Sequence, residues 1–179
     1  EYFMQQMSCK TCGHWLLIAS FLMISLYSMK GVAMSLFSGT DVVLFSPMEG
    51  KMTFEGKPAA NAKIVRTIIW KGDDGETDIF YTSENGEFKL PIKKAKVRIP
   101  MLAEFVLTQE ISVFYNDREF SMWFKAKQDL GVYGELGGKP HNLRCELTDE
   151  LVRLEDFNGL FGTSCKWDDC GLCERFVVL

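Results

Sequence analysis

Hydrophobic and polar residues do not keep one rhythm along this chain. From Trp15 to Ser28 a run of 14 residues carries no charge, whereas beyond Ser38 apolar positions fall in short alternating stretches broken by turn residues. No stretch there holds a helical period over about 11 residues, so the body reads as all-β. Val42–Phe45 and Gly50–Phe54 are the first expected strands, Glu55-Gly56-Lys57-Pro58 is a turn, and Ala62–Trp70 is a long β-branched strand closed by Lys71-Gly72-Asp73-Asp74-Gly75. Glu76–Thr82 places Thr77, Ile79 and Tyr81 on one face and Asp78 and Phe80 on the other. Ser83-Glu84-Asn85-Gly86 then leads into Glu87–Leu90, and an Asn-Gly pair between apolar runs predicts a hairpin. Glu110–Tyr115 and Arg118–Lys125 flank Asn116-Asp117 and predict another. After a Gly-rich connection, Ala126–Asn142, the run Leu143–Thr148 is expected to pair with Leu151–Glu155 across Asp149-Glu150. Seven or eight short strands suit a β-sandwich.

The chain has 179 residues, a length that predicts one domain with something left over. The leftover lies at the front. An apolar run of 14 is shorter than the roughly 20 residues of a membrane span but fits the roughly 7 to 15 of a signal-peptide core. Gly31 and Ala33 supply small residues for cleavage after Ala33. Residues 1–33 are therefore expected to form a hydrophobic helix, as signal peptide or membrane anchor, with an exported, periplasmic or membrane-anchored body. The alternative is a non-native leader and a cytoplasmic protein starting at Met34. Residues 34–47 are expected as a lead-in strand, 48–160 as the sandwich and 161–179 as a cysteine-containing tail.

Six cysteines bear on the compartment. Cys9 and Cys12 precede the apolar run, and Cys145, Cys165, Cys170 and Cys173 lie near the other end. Two CxxC pairs invite a zinc site, but an inserted apolar run would hold them on opposite sides of a membrane, and no metal or other cofactor is expected. In an exported body the four later cysteines allow three pairings, of which Cys145 with Cys165 is the first choice. Twenty Lys and Arg against 24 Asp and Glu give a net charge of −4, which offers no basic footprint for nucleic acid.

A resemblance is carried by Glu49-Gly50-Lys51-Met52, Gly56-Lys57-Pro58-Ala59, Ala62-Lys63-Ile64 and Tyr81-Thr82-Ser83-Glu84-Asn85-Gly86-Glu87-Phe88. These segments resemble the carboxypeptidase regulatory-like, transthyretin-like module, with Asn61 where that pattern has glycine and Ser83 where it has aspartate. Asn tolerates a left-handed backbone and Ser can still accept a turn hydrogen bond. Phe45-Ser46-Pro47, the stretch Gly134–Pro140, the stretch Arg144–Glu150 and Gly162-Thr163-Ser164-Cys165-Lys166-Trp167 resemble a bacterial family of small uncharacterised proteins. The resemblance implies a seven-stranded Greek-key sandwich that usually serves as a non-catalytic accessory, stabilising or ligand-presenting domain. Fold alone does not fix function.

Catalytic chemistry has little to stand on. His141 is the one histidine of the body, and Cys145, four residues on, would lie about 13 Å away along a strand, too far for proton transfer. Asp73, Asp74, Glu76 and Asp78 crowd one hairpin, but their spacing fits a calcium loop poorly and reads as a solvated tip. Surface contact remains. Interfaces favour aromatics, and Phe114, Tyr115, Trp123 and Phe124 are the candidate binding residues. The face with Phe114 and Trp123 is expected to lie under the Ala126–Asn142 connection, with an exposed patch as the alternative; Trp167 is expected as a core plug beside Cys165. The expected function is a non-enzymatic domain that binds another protein or an envelope component, with an immunity or antagonist role as its narrower form and a carboxylate or tail-cysteine enzyme as the competing class. An edge strand would equally allow a homodimer.

Overall fold

The computed structural model describes residues 39–70, 75–99, 104–154 and 160–168, and every regular element in them is a strand. In chain order these are β1 (Thr40–Phe45), β2 (Met48–Phe54), β3 (Lys57–Pro58), β4 (Lys63–Ile69), β5 (Glu76–Tyr81), β6 (Glu87–Leu90), β7 (Lys93–Val97), β8 (Leu107–Tyr115), β9 (Arg118–Lys127), β10 (His141–Glu146), β11 (Val152–Leu154), β12 (Phe161–Thr163) and β13 (Cys165–Asp168). The expected N-terminal helix, Cys9, Cys12, the Asp73-Asp74 tip, Cys170 and Cys173 lie outside the described residues.

Three sheets form. The largest runs β11-β12-β9-β8-β4-β5, the second runs β13-β10-β2-β3 with β6 also on β2, and β1 pairs with β7 alone. Pairing is antiparallel throughout except between β2 and β10, which run parallel. The alternation that predicts the strands also builds the core. Ile64 and Ile68 of β4, Leu107, Ile111 and Val113 of β8, Met48 and Met52 of β2, Phe88 and Leu90 of β6, and Leu143 and Cys145 of β10 all join one buried cluster. Each large apolar side chain removed from water there contributes about 1.5–3 kcal/mol. The core extends beyond the expected 48–160 body. Val42, Leu44 and Phe45 are buried ahead of it, and Phe161, Cys165 and Trp167 are buried at its far end.

Turn chemistry follows the residues. Asn116 and Asp117 both take positive φ, 51° and 57°, as a two-residue hairpin turn between β8 and β9 requires. Asn61 also stands at positive φ, 55°, and Ser83 Oγ accepts the backbone N–H groups of Asn85 and Glu87 at 3.3 and 3.1 Å.

Two expected hairpins are not present. The Asn85-Gly86 turn does not join a paired β5 and β6; β5 pairs with β4 and β6 with β2. Only Gly86 of that turn has positive φ, whereas a type I′ hairpin needs two such residues. The turn instead carries the chain from one sheet to the next, and a Cβ on Gly86 would lie 2.3 Å from the Met52 carbonyl oxygen. Nor does Leu143–Thr148 pair with Leu151–Glu155. β10 lies between β2 and β13, while β11 pairs with β12, because Glu146 ties the chain after β10 to the β2 turn. Its carboxylate accepts from Thr53 Oγ1, Thr148 Oγ1 and the backbone N–H groups of Glu55, Gly56 and Thr148. Partial burial opposes its charge, yet those donors hold its pKa down to about 2. The described strands outnumber the expected seven or eight because β3, β12 and β13 are short, and because β7, in which Ala95, Val97 and the following Ile99 alternate with Lys94, Lys96 and Arg98, was not expected.

Candidate functional site

The aromatic residues expected to share a binding face are separated by one irregularity. In β8 and β9, Ser112 faces Ser121 and Ile111 faces Trp123, so Met122 is an extra residue in β9. A bulge of this kind turns two successive side chains to one side. Phe120, Met122 and Trp123 are accordingly buried, and from Trp123 onward the phase is reversed, with Lys125 and Lys127 inside and Phe124 and Ala126 half-buried. Trp123 therefore does not share a face with Phe114. It packs against Phe161 at 4.6 Å between ring centroids and donates its Nε1–H to Gln109 Oε1 at 3.3 Å. Tyr115 also leaves the proposed patch, lying 5.5 Å from the Phe54 ring, which itself contacts Phe120.

Below the bulge the interior is polar. Glu135, from the Gly-rich connection, is 2% exposed and accepts from the Ser46 backbone N–H at 3.0 Å, Ser46 Oγ at 2.8 Å, Gln109 Nε2 at 3.2 Å and Lys127 Nζ at 2.8 Å. Lys127 Nζ also donates to the Gly131 carbonyl, and Ser46 Oγ accepts the Tyr133 N–H. Burial alone would raise the Glu135 pKa, but the Lys127 charge and these hydrogen bonds hold it below the usual carboxylate range. Lys125 lies on the same side with its ammonium 5.6 Å from the Phe161 centroid, and burial pushes its pKa down to about 8. All four acceptor positions of Glu135 are occupied, and the arrangement fastens the connection between β9 and β10 to β1, β8 and β9. At the far edge of the large sheet Arg66 is similarly buried. It grips Asp78 at 2.6 Å and the Pro91 carbonyl at 2.6 Å while stacking over Phe45 and Phe80.

The outward face of the large sheet is different. Phe114 faces Lys63 on β4 and Glu119 on β9, and Lys63 in turn faces Tyr81 on β5. One row across four strands thus reads Tyr81, Lys63, Phe114, Glu119. Tyr81 is 63% and Phe114 39% exposed, and Ile79, in the next row, is 52% exposed. The Lys63 ammonium sits 5.5 Å from the Phe114 centroid. Phe124 lies on this face too, but its partner Glu110 stands four residues along β8 from Phe114. Of the residues expected to bind, the structure places Phe114 in the open. It adds Tyr81 and Ile79, which sequence alternation put on one face of β5 without showing that the face adjoins Phe114.

A second concave feature, an open groove of 1010 Å³, runs between β6, β2 and β10. His141 lines it with Lys51, Lys89, Lys139 and Arg144, of which Arg144 pairs with Asp168 at 2.8 Å and Lys89 with Glu49 at 3.7 Å, and Tyr81 borders it as well. Cys145 carries no free thiol beside it, because it is bridged to Cys165, the residue facing it on β13.

A model of a domain of unknown function, DUF6795, matches residues 48–150, more than half of the chain. The protein belongs to the DUF6795 family. No curated protein and no solved structure matches it. The DUF6795 stretch begins at Met48 and ends at Glu150, so it holds β2 to β10, the row from Tyr81 to Glu119, and three members of the polar interior, Gln109, Lys127 and Glu135. Ser46 and Cys165, which complete the polar interior and the disulfide, lie on either side of the DUF6795 match.

Proposed function

We propose that this DUF6795 protein is a non-catalytic protein-binding domain of the cell envelope. Its sheets form a Greek-key sandwich of the transthyretin-like kind, and its partner docks on the outward face of the six-stranded sheet. The observation that carries this reading is the exposure of Tyr81 and Phe114 on either side of Lys63, on a face whose strands are otherwise held rigidly from below. Rigid aromatics on a sheet give contact area at little cost in conformational freedom, which is how docking surfaces gain affinity. The buried Glu135 is paired with Lys127, and Cys145, four residues from His141, is in a disulfide, which favours binding over nucleophilic chemistry.

The test is site-specific photo-crosslinking in the native cell. A photoreactive residue at position 114 or 81 is expected to give discrete protein adducts, and one at Lys166, on the outer face of the other sheet, is expected to give none. Equal yields from all three positions would overturn the choice of face.

A further inference from the structure

Resting on the reading of this outward face as a docking surface, we propose that its occupant is a second copy of the same chain. The order of side chains in the row is self-complementary. Lys63 and Glu119 stand one strand to either side of Phe114, two strand spacings or about 10 Å apart, and the Lys63 ammonium lies against the Phe114 ring rather than reaching across it to Glu119. A two-fold axis lying in the interface along β8 brings Phe114 onto its own counterpart. The same rotation places Lys63 of each copy over Glu119 of the other. Two ion pairs therefore close around a central aromatic contact, which is the self-complementarity that an isologous interface demands. Glu119 is exposed and Lys63 half-buried. Sheets packed face to face in this way lie about 10 Å apart, a gap that the two Phe114 rings fill.

The inference is tested by sedimentation of the full chain across a range of concentrations. The unmodified protein is expected to dimerise. Lys63→Glu and Glu119→Lys each place two like-charged pairs in the interface and are expected to weaken dimerisation by about tenfold or more. Mixing the two variants is the deciding step. In a mixed pair the carboxylate introduced at position 63 of one copy meets the ammonium introduced at position 119 of the other, and the unaltered Glu119 and Lys63 meet as before. The mixture is therefore expected to form a heterodimer, although each variant pairs only weakly with itself. The combined swap in one chain is expected to restore the homodimer, which also guards against a variant that merely unfolds. An unmodified protein that stays monomeric overturns the second copy, while crosslinks from position 114 to a different protein would leave the docking reading standing. A dimer insensitive to both variants overturns the proposal by placing the interface elsewhere.

Discussion

The two halves of β9 follow the same period-two alternation and end in opposite surroundings. From Arg118 to Met122 the inward positions are apolar, Phe120 and Met122. From Trp123 to Lys127 they include two lysines. A single extra residue at Met122 makes the difference, because a slip of one residue carries every later side chain to the other face. The reversed half is tolerated because its surroundings are polar in the matching places. Gln109 on β8, Ser46 after β1 and Glu135 in the Gly-rich connection supply partners for what would otherwise be costly buried groups. The apolar half needs only shape and volume, but the polar half needs each partner present. The buried ion pair therefore depends on the phase that β9 keeps from Trp123 onward, and a change of phase should break it.

The largest effect is expected from changing the phase. Deleting Phe124 sends Lys125 and Lys127 outward and strips Glu135 of its cation, so the variant is expected not to fold, as read by loss of the cooperative thermal transition. Deleting Met122 removes the extra residue and leaves a regular β8–β9 ladder with both lysines still inward. It is expected to fold, at a cost of about 2–5 kcal/mol for the lost side chain. Next comes the pair itself. Glu135→Ala leaves Lys127 buried without its carboxylate, and denaturant unfolding should show a loss of about 3–5 kcal/mol. Adding Lys127→Met should recover part of that loss, since removing both charges relieves the desolvation that removing one exposes.

Much of the strand pattern was legible, and the reasons it stopped being so are physical. β4, β5, β8 and the first half of β9 were readable because one side of each faces the core, and Asn61, Ser83 and Asn116-Asp117 were readable because turns draw on few residue types. Which strands lie side by side is a non-local property that alternation does not carry. Hence β5–β6 and β10–β11 were expected to pair, and the adjacency of Tyr81 to Phe114 was not visible. β7 alternates too, Ala95, Val97 and the following Ile99 against Lys94, Lys96 and Arg98, but three lysines in five residues masked the pattern. The bulge left one trace, the unbroken run Met122-Trp123-Phe124, in which three large apolar residues interrupt the alternation. For the disulfide, four cysteines allowed three pairings, and it is the β10–β13 register that puts Cys145 opposite Cys165.

A smaller effect separates the halves by pH. The folded state holds Lys125 at about 8, below its ordinary 10.5. Between those values the unfolded chain binds the proton more readily, so stability contributed by this group rises with pH from about 8 to 10.5. Below pH 8 both states are protonated and the contribution is flat at its least favourable level. Unfolding free energy measured across that alkaline window should climb in the unmodified protein, and Lys125→Met should flatten the climb. Glu135 acts in the opposite range. Its lowered pKa gives stability that is present above about 4.5 and lost as acid protonates it.

The smallest effect on the isolated fold belongs to the outward face. Trp123→Ala empties a site that is 1% exposed and should cost about 3–5 kcal/mol. Phe114 is 39% exposed, and the Lys63 ammonium sits 5.5 Å from the ring, a contact that gives about 0.5–1 kcal/mol at such a surface. Phe114→Ala should therefore lower the melting temperature only slightly in dilute solution. If the ring lies on the two-fold axis, the unmodified protein gains stability from association as its concentration rises, and the variant does not. The gap between their melting temperatures should then widen with concentration, whereas the gap opened by Trp123→Ala, whose cost lies within one copy, should widen only as far as that variant's own association is impaired. A Phe114→Ala gap that stays constant from low to high concentration would mean that the ring does nothing between copies.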